Sequence, residues 1–456
     1  MNAHQSTGTS TAGILSWKWE KVSKFHREKL IQLRKHARME PKEVKVINGV
    51  LVCCSIDCLI NYGSDGTRVY VGLGKDGIEK AVKRLPRDAC SGLAEQEKKV
   101  LNQPNPRKSK HVVNYMFLEE QFDKEYLYMI LDLCEETLYD FIKNMRSDTD
   151  LAKIAPDIIK QILKGLADLH RDPNPILHRD LKPSNILRNI QGDWLLADFG
   201  ISRILPEDVT THMSKSRGTE DWKAVESCSF EGMTDDGNSD NACYKKESDI
   251  QVAGIVAFYI LTRGRHPYGE KPDRLRNLLD GKPVGLEKLK DDAAKDLISW
   301  MLNHDPKDRP SAKEALKHPY LQPAKQQFGL LCKVGNQREI KKGDANSTVV
   351  QKLNSNPADW KTLLRPDVLN FLCSNERGVL LPYDSSWTEC LRLIRNVNQH
   401  WRDQPRPRPQ PQEAFYLVGD PQEYFLKLFP CLPVEVHRII RSCDWKERDD
   451  LKEYFI

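Results

Sequence analysis

Apolar and polar positions divide the chain into stretches of different period. From Val44 the strings VKVINGVLV, TRVYVGL and EKAVKRL alternate or run short and apolar between turn residues, which predicts a β-rich lobe. After about Thr137 the apolar residues recur at helical spacing, as in APDIIKQILKGLADLH. Ser227 to Lys246 is polar and reads as a loop, and helical patterns then resume to about Pro319. Pro323 to Asn356 reads as a mixed connection, and a second helical unit is expected from Trp360. It is interrupted by the proline-rich run Gln404 to Gln412, which cannot sustain a helix and is expected to form an exposed, extended loop. At the other end residues 1–12 read as disordered. Trp17 to Met39 reads as a basic helix, solvated or docking, with a membrane-surface or RNA-contacting arm as the second reading, and with Trp17, Val22, Phe25, Leu30 and Leu33 as apolar positions.

Length and composition narrow this picture. With 456 residues there is room for two domains, or three. The formal charge of +5 is small for the length and hints only weakly at an anionic partner. The twelve cysteines are scattered. The tightest group, Cys53, Cys54 and Cys58, has no second cluster of Cys or His at zinc-like spacing, so reduced, mostly buried thiols are expected. The start MNAHQSTGTSTAG is polar and no apolar run approaches the ~20 residues of a membrane span, so a cytoplasmic or nuclear chain is expected.

Four short strings of glycine, lysine and carboxylate residues follow one another along the first part of the chain. The first is Gly63-Ser-Asp-Gly66-Thr-Arg-Val69, between two strand patterns. It is imperfect, because Asn61 stands where a first glycine would be. The second is Ala81-Val82-Lys83 on a strand, the third His178-Arg179-Asp180-Leu181-Lys182-Pro183-Ser184-Asn185, the fourth Asp198-Phe199-Gly200 after WLLA. Alone, a glycine loop or a strand lysine means little. All four in register resemble the protein kinase family.

That resemblance implies ATP and Mg2+ as cofactors and a bilobal fold. Gly63, Gly66, Val69, Ala81, Lys83, Asp132 and Cys134 would bind nucleotide, and Asn185 and Asp198 would ligate the metal. Asp180 would accept the substrate hydroxyl proton, and Lys182 would neutralise charge on the transferred phosphoryl group. The acidic partner of Lys83 should sit on the next helix. Glu97 is four residues from Leu93 and from Leu101 and shares their face, so it is preferred over Glu95. Gly218-Thr219-Glu220 and Ala224-Val225-Glu226 resemble the end of an activation segment, with Val225 in place of the usual proline. Glu226 would pair with Arg309, and Asp249 would tie the catalytic loop to a buried helix. Lys182 with Thr219 favours serine and threonine substrates, the chain itself among them.

Beyond the kinase pattern, Leu391-Arg-Leu-Ile-Arg395-Asn396-x-x-x-His400-Trp401 and Leu428-Phe429-Pro430 are similar to the kinase-extension nuclease (KEN) domain. That domain follows the kinase in the inositol-requiring ER stress sensor family and in the 2-5A-dependent ribonuclease family. On a helix, Asn396 and His400 share one face with Arg395 beside them. An imidazole can protonate a leaving 5′ oxygen, and Arg395 and Asn396 can hold the scissile phosphate. RNA supplies its own 2′-hydroxyl nucleophile, so no metal is needed. The resemblance implies an assisting tyrosine; Tyr383 fits, one residue short of the family spacing. Arg392, Arg402, Arg406 and Arg408 would contact RNA backbone.

The expected architecture is therefore α+β: a bilobal kinase over 44–321 and a small all-α KEN ribonuclease-like domain over 322–456, behind residues 1–43. The expected function is a Ser/Thr kinase whose nucleotide-bound homodimer activates a ribonuclease in stress or RNA-decay signalling. One alternative is a kinase whose tail serves only to dimerise. Another is a nucleotide-sensing scaffold without phosphotransfer, against which the intact Asp180, Asn185 and Asp198 argue. Neither a luminal domain with a membrane span nor ankyrin repeats, the input modules of the two families, occur in this sequence.

Overall fold

Asn48 and Gly49 both take positive φ, 46° and 81°, and so close a two-residue hairpin between β1 (Val44–Ile47) and β2 (Val50–Cys53). In the computed structural model, which describes residues 16–228, 241–356, 359–374, 379–401 and 412–456, this hairpin begins a seven-stranded antiparallel sheet. The other strands are β3 (Leu59–Tyr62), β4 (Arg68–Gly74), β5 (Glu79–Pro86), β6 (Tyr115–Glu119) and β7 (Tyr126–Asp132). Their order is β1-β2-β4-β5-β7-β6, with β3 also on β4.

Helix α1 (Arg27–Met39) buries Leu30, Leu33 and Ala37 in one core with Ile47, Leu51, Tyr70 and Tyr128 of the sheet. The expected basic helix from Trp17 thus starts ten residues later. Residues 16–26 are held in turns because their polar groups find fixed partners elsewhere. The Trp17 indole donates to Glu79 (2.6 Å), the Phe25 amide to Glu135 (2.8 Å), and the His26 ring meets the Cys134 carbonyl (3.1 Å). Trp17 is buried while Val22 and Phe25 stay exposed. Helix α2 (Arg87–Leu101) packs its Cys90 and Ala94 on Leu85, Leu127 and Met129.

The helical part of this unit is built on α3 (Asp148–Leu169) and the almost wholly buried α4 (Lys246–Leu261). Short strands Ile186–Arg188 and Trp194–Leu196 pair between them in sequence and carry the loops of the site. Within the stretch expected to be a loop, Asn241–Tyr244 is a strand. It pairs antiparallel with His212–Lys215, so its backbone bonds come from a distant partner that local polarity does not reveal. The chain divides into two compact units. One runs to Leu286 and includes Met301–Ala312; the other comprises Glu287–Trp300 and Lys313–Ile456.

The second unit is helical: α5 (Ala324–Gly335), α6 (Thr348–Leu353), α7 (Pro366–Cys373), α8 (Trp387–His400), α9 (Gln412–Val418), α10 (Pro421–Leu428) and α11 (Leu432–Arg441). The segment read as a mixed connection therefore contributes three helices, α5, the short Arg338–Lys342 and α6, and Trp360–Leu363 is only a short 3-10 turn. Phe328, Leu331 and Val334 of α5 join Leu391, Ile394 and Val397 of α8 in one core. Gly335 makes that packing close, since a Cβ there would collide with the Leu391 carbonyl and lie 3.2 Å from the Arg395 Cβ. Asp296, half of a polar junction in this unit, accepts from His318 (2.9 Å) and from both terminal nitrogens of Arg441 (2.5 and 3.3 Å). All twelve cysteines are unbonded thiols; five are buried and Cys431 is exposed. Among the described residues no helix is long and apolar enough to cross a membrane. Residues 1–12, the run 404–411, Arg402, Arg406 and Arg408 lie outside the described residues.

Candidate functional site

Lys83 lies on β5, whose neighbours β4 and β7 hold it in register opposite Val69 and Met129. Its ammonium is 2.8 Å from Glu97 Oε2 on α2 and 3.1 Å from Asp198 Oδ1. Burial opposes the lysine's charge, but the two carboxylates outweigh it, and its affinity for the proton rises. Lys83 in turn holds Asp198 below the usual carboxylate range. Glu97, 2% exposed, is pushed up by burial against the pull of Lys83. Its other oxygen lies 3.4 Å from the Phe199 amide and so links the helix to the Asp198-Phe199-Gly200 turn.

The loop His178–Asn185 brings the second set together. Asp180 accepts from Lys182 (2.7 Å), from the Asn185 amide (3.0 Å) and from the Thr219 hydroxyl (2.9 Å) and backbone N–H (3.1 Å). Lys182 also donates to Thr219 (2.7 Å). Arg179 and Asp198 both adopt positive φ, 69° and 67°, a strained choice for residues with side chains. Asp249 of α4 holds the first of these turns. It accepts the backbone N–H groups of His178 (2.9 Å) and Arg179 (3.0 Å) and meets the His170 ring at 2.9 Å. Glu226 and Arg309 form a two-pronged pair at 2.8 and 2.9 Å.

The glycine turn is a tight hairpin between β3 and β4, with Gly66 at φ 77° and the Gly63 N–H donating to the Thr67 carbonyl (2.8 Å). Val69 and Ala81 face neighbouring positions on β4 and β5. Asp132 ends β7 and pairs with Lys80 (3.0 Å), and Cys134 follows, its thiol pushed up to about 12 by burial.

In the second unit, Tyr383, Arg395 and Asn396 touch. The Asn396 amide donates to the Tyr383 hydroxyl (2.8 Å) and accepts from Arg395 (2.6 Å), so both ends of the amide are fixed. Arg395 also donates to Asn336 (3.1 Å), and Arg392 stacks over the Tyr383 ring at 4.9 Å. Asn336 follows α5 and carries no sequence signal; only the close packing of α5 on α8 brings it here. Burial raises the Tyr383 phenol, which therefore stays protonated at neutral pH. Ser386 caps the start of α8 by accepting the Glu389 amide (3.3 Å). His400 ends the same helix, exposed, one turn beyond Asn396.

Comparison with known proteins places these two sets in two domains. Residues 62–321 match the protein kinase domain and residues 327–455 match ribonuclease 2-5A. The chain is 30% identical over 408 residues to the serine/threonine-protein kinase/endoribonuclease IRE2 of Homo sapiens, covering 84% of this chain and 41% of that protein. It is 28% identical over 407 residues to the serine/threonine-protein kinase/endoribonuclease ire-1 of Caenorhabditis elegans (84% and 39%). It is also 28% identical over 426 residues to the sensor for unfolded proteins in the ER ire1 of Schizosaccharomyces pombe (85% and 38%). The chain thus spans about two fifths of the length of these relatives.

Proposed function

We propose, for a chain that belongs to the protein kinase family and carries a ribonuclease 2-5A domain behind it, a serine/threonine protein kinase joined to a metal-independent RNA endonuclease. We assign the kinase to residues 44–321 and the nuclease to 322–456. The observation that supports this reading best is the contact of Lys83 with both Glu97 and Asp198.

Asp198 and Asn185 offer a carboxylate and an amide oxygen, hard donors that suit Mg2+. When bound, Mg2+ neutralises charge on the phosphates of ATP. Lys83, kept protonated by its carboxylates, holds the phosphates beneath the Gly63–Gly66 turn, while Val69, Ala81, Asp132 and Cys134 line the rest of the nucleotide site. Asp180 takes the proton of the substrate hydroxyl and Lys182 steadies the phosphoryl group in transit. Thr219, bonded to both, borders the acceptor position and favours a serine or threonine hydroxyl.

In the nuclease, the RNA 2′ hydroxyl gives its proton to solvent water as its oxygen attacks phosphorus, the bond to the 5′ oxygen breaks, and His400 gives that oxygen a proton. The products are a 2′,3′-cyclic phosphate and a 5′ hydroxyl. Arg395 and Asn396 hold the phosphate, and the neutral Tyr383 phenol fixes Asn396. Nucleotide-bound homodimers are the active form on this reading. One relative is named as a sensor for unfolded proteins, and we place this chain in signalling of that kind, in the cytoplasm.

The test is to incubate the purified chain with γ-labelled ATP and with labelled RNA, with and without Mg2+. Phosphate incorporation that needs Mg2+, and RNA cleavage that does not need added metal and is lost in His400→Ala, support both activities. Incorporation without cleavage would reduce the tail to a dimerisation module.

A further inference from the structure

Three side chains with metal-binding atoms meet on the first unit, away from the kinase groups. His36 lies in the last turn of α1, Glu43 directly ahead of β1, and Cys53 at the end of β2. One ligating atom from each lies within 4.8 Å of the other two. The His36 Nδ1 is 3.6 Å from Glu43 Oε2 and 3.4 Å from Glu40 Oε2, and its Nε2 is 3.8 Å from Asp57 Oδ2. Cys53 is buried and Glu43 is exposed, so the group runs from the edge of the core to solvent. The Cys58 thiol lies against Cys53 and also reaches the Lys29 carbonyl (3.9 Å).

A cluster of exposed carboxylates around one histidine is ordinary surface chemistry. A buried sulfur within the same few ångströms is not explained by that chemistry. In four-coordinate zinc sites bond lengths of about 2.0–2.3 Å place neighbouring ligand atoms roughly 3.3–3.8 Å apart. The His36–Glu43 separation falls in that range, and the exposed Glu43 carboxylate can swing to close the set. One imidazole nitrogen, one thiolate and one carboxylate suit a borderline-soft cation; Mg2+ and Ca2+ prefer oxygen alone. With Nδ1 on the metal, the Nε2–H faces Asp57, the outer carboxylate that commonly orients a ligating histidine.

We propose that His36, Glu43 and Cys53 form a zinc site, with water or Glu40 in the fourth position. Bound zinc fastens the end of α1 to the β1–β2 hairpin, and so anchors the segment whose His26 and Phe25 reach Cys134 and Glu135.

The test uses the full purified chain, stripped with EDTA and titrated with Co2+ as a spectroscopic probe. One equivalent should bind with thiolate-to-cobalt charge-transfer absorption, be displaced by Zn2+ and not by Mg2+, and raise the thermal unfolding midpoint. Cys53→Ser should remove the charge-transfer band. Because Cys53 sits in the core, His36→Gln and Glu43→Gln, both nearer solvent, provide the second arm. Each should weaken Co2+ binding by at least the roughly tenfold that loss of even an outer-shell partner costs. Absence of the band at stoichiometric Co2+, its survival in Cys53→Ser, or unchanged affinity in both His36→Gln and Glu43→Gln would overturn the assignment.

Discussion

Arg179, in the loop His178–Asn185, donates a terminal nitrogen to the Ser214 hydroxyl at 2.8 Å. The surroundings of this contact are basic: Arg203, already disfavoured as a cation by burial, also feels the charges of Arg179 and Arg217. A phosphate on Ser214 would meet these guanidinium groups and relieve their mutual repulsion. Among the hydroxyls Thr210, Thr211, Ser214 and Ser216, Ser214 should therefore be a principal autophosphorylation site. Phosphopeptide mapping should find it, and Ser214→Ala should lower total incorporation. Asp198→Asn should abolish incorporation in pure protein; persistent labelling there would refute the metal-ligand role.

Removing transfer should not remove binding. Asp180→Ala leaves Lys83, Glu97 and Asp198 in contact with one another. The variant should bind ADP and ATP with affinity near wild type, incorporate no phosphate, and still cleave RNA when nucleotide is present. Loss of cleavage in a variant that still folds and dimerises would show that transfer, not occupancy, is the trigger.

The nuclease groups should act as one unit. His400→Ala should lower cleavage by roughly 10²-fold or more, the usual scale for a general acid. Asn396→Ala should be similarly defective, and Tyr383→Phe less so, since it removes only the hydroxyl that accepts from Asn396. A substrate with 2′-deoxyribose at the cleaved position should be inert, and EDTA should leave the rate unchanged. Kinase activity should stay at the wild-type level in all three variants.

Acid should weaken the second unit through Asp296. Burial alone would raise this carboxyl, but the hydrogen bonds from His318 and Arg441 prevail and hold it at about 2. A depressed folded value means that the stabilisation is fully present above the ordinary aspartate range. It is lost as the pH falls from about 4 towards 2, and amounts to about 2 kcal/mol. Denaturant unfolding followed at pH 6, 4 and 2.5 should show this loss in the wild type and a smaller one in Asp296→Asn.

Much of this was legible in local sequence. The β-rich lobe from Val44, the strings around Asp180 and Asp198, and the choice of Glu97 over Glu95 each rest on residues close together in the chain. What failed depended on distant partners. Helix α5 was hidden because Gly329 and Gly335 weaken its helical signal, yet Gly335 is needed where α8 comes close. Residues 241–244 form a strand only because 212–215 lie beside them. Trp17 resembled the start of a helix, but its indole is claimed by Glu79. Asn336, which supports Arg395, and the convergence of His36 with Cys53 come from packing between separate elements.

The contact at Gly335 also sets a tolerance. The helix that carries Arg395, Asn396 and His400 rests backbone on backbone against α5, with no flexible side chain between them to absorb an error. A methyl group added there has nowhere to go, so α8 itself must lift and carry all three groups with it. Reacting groups misplaced by about 1 Å can cost on the order of 10² in rate. On the proposed function, the geometry of RNA cleavage is thus set by an atom that is missing, in a helix that supplies none of the groups assigned to the reaction.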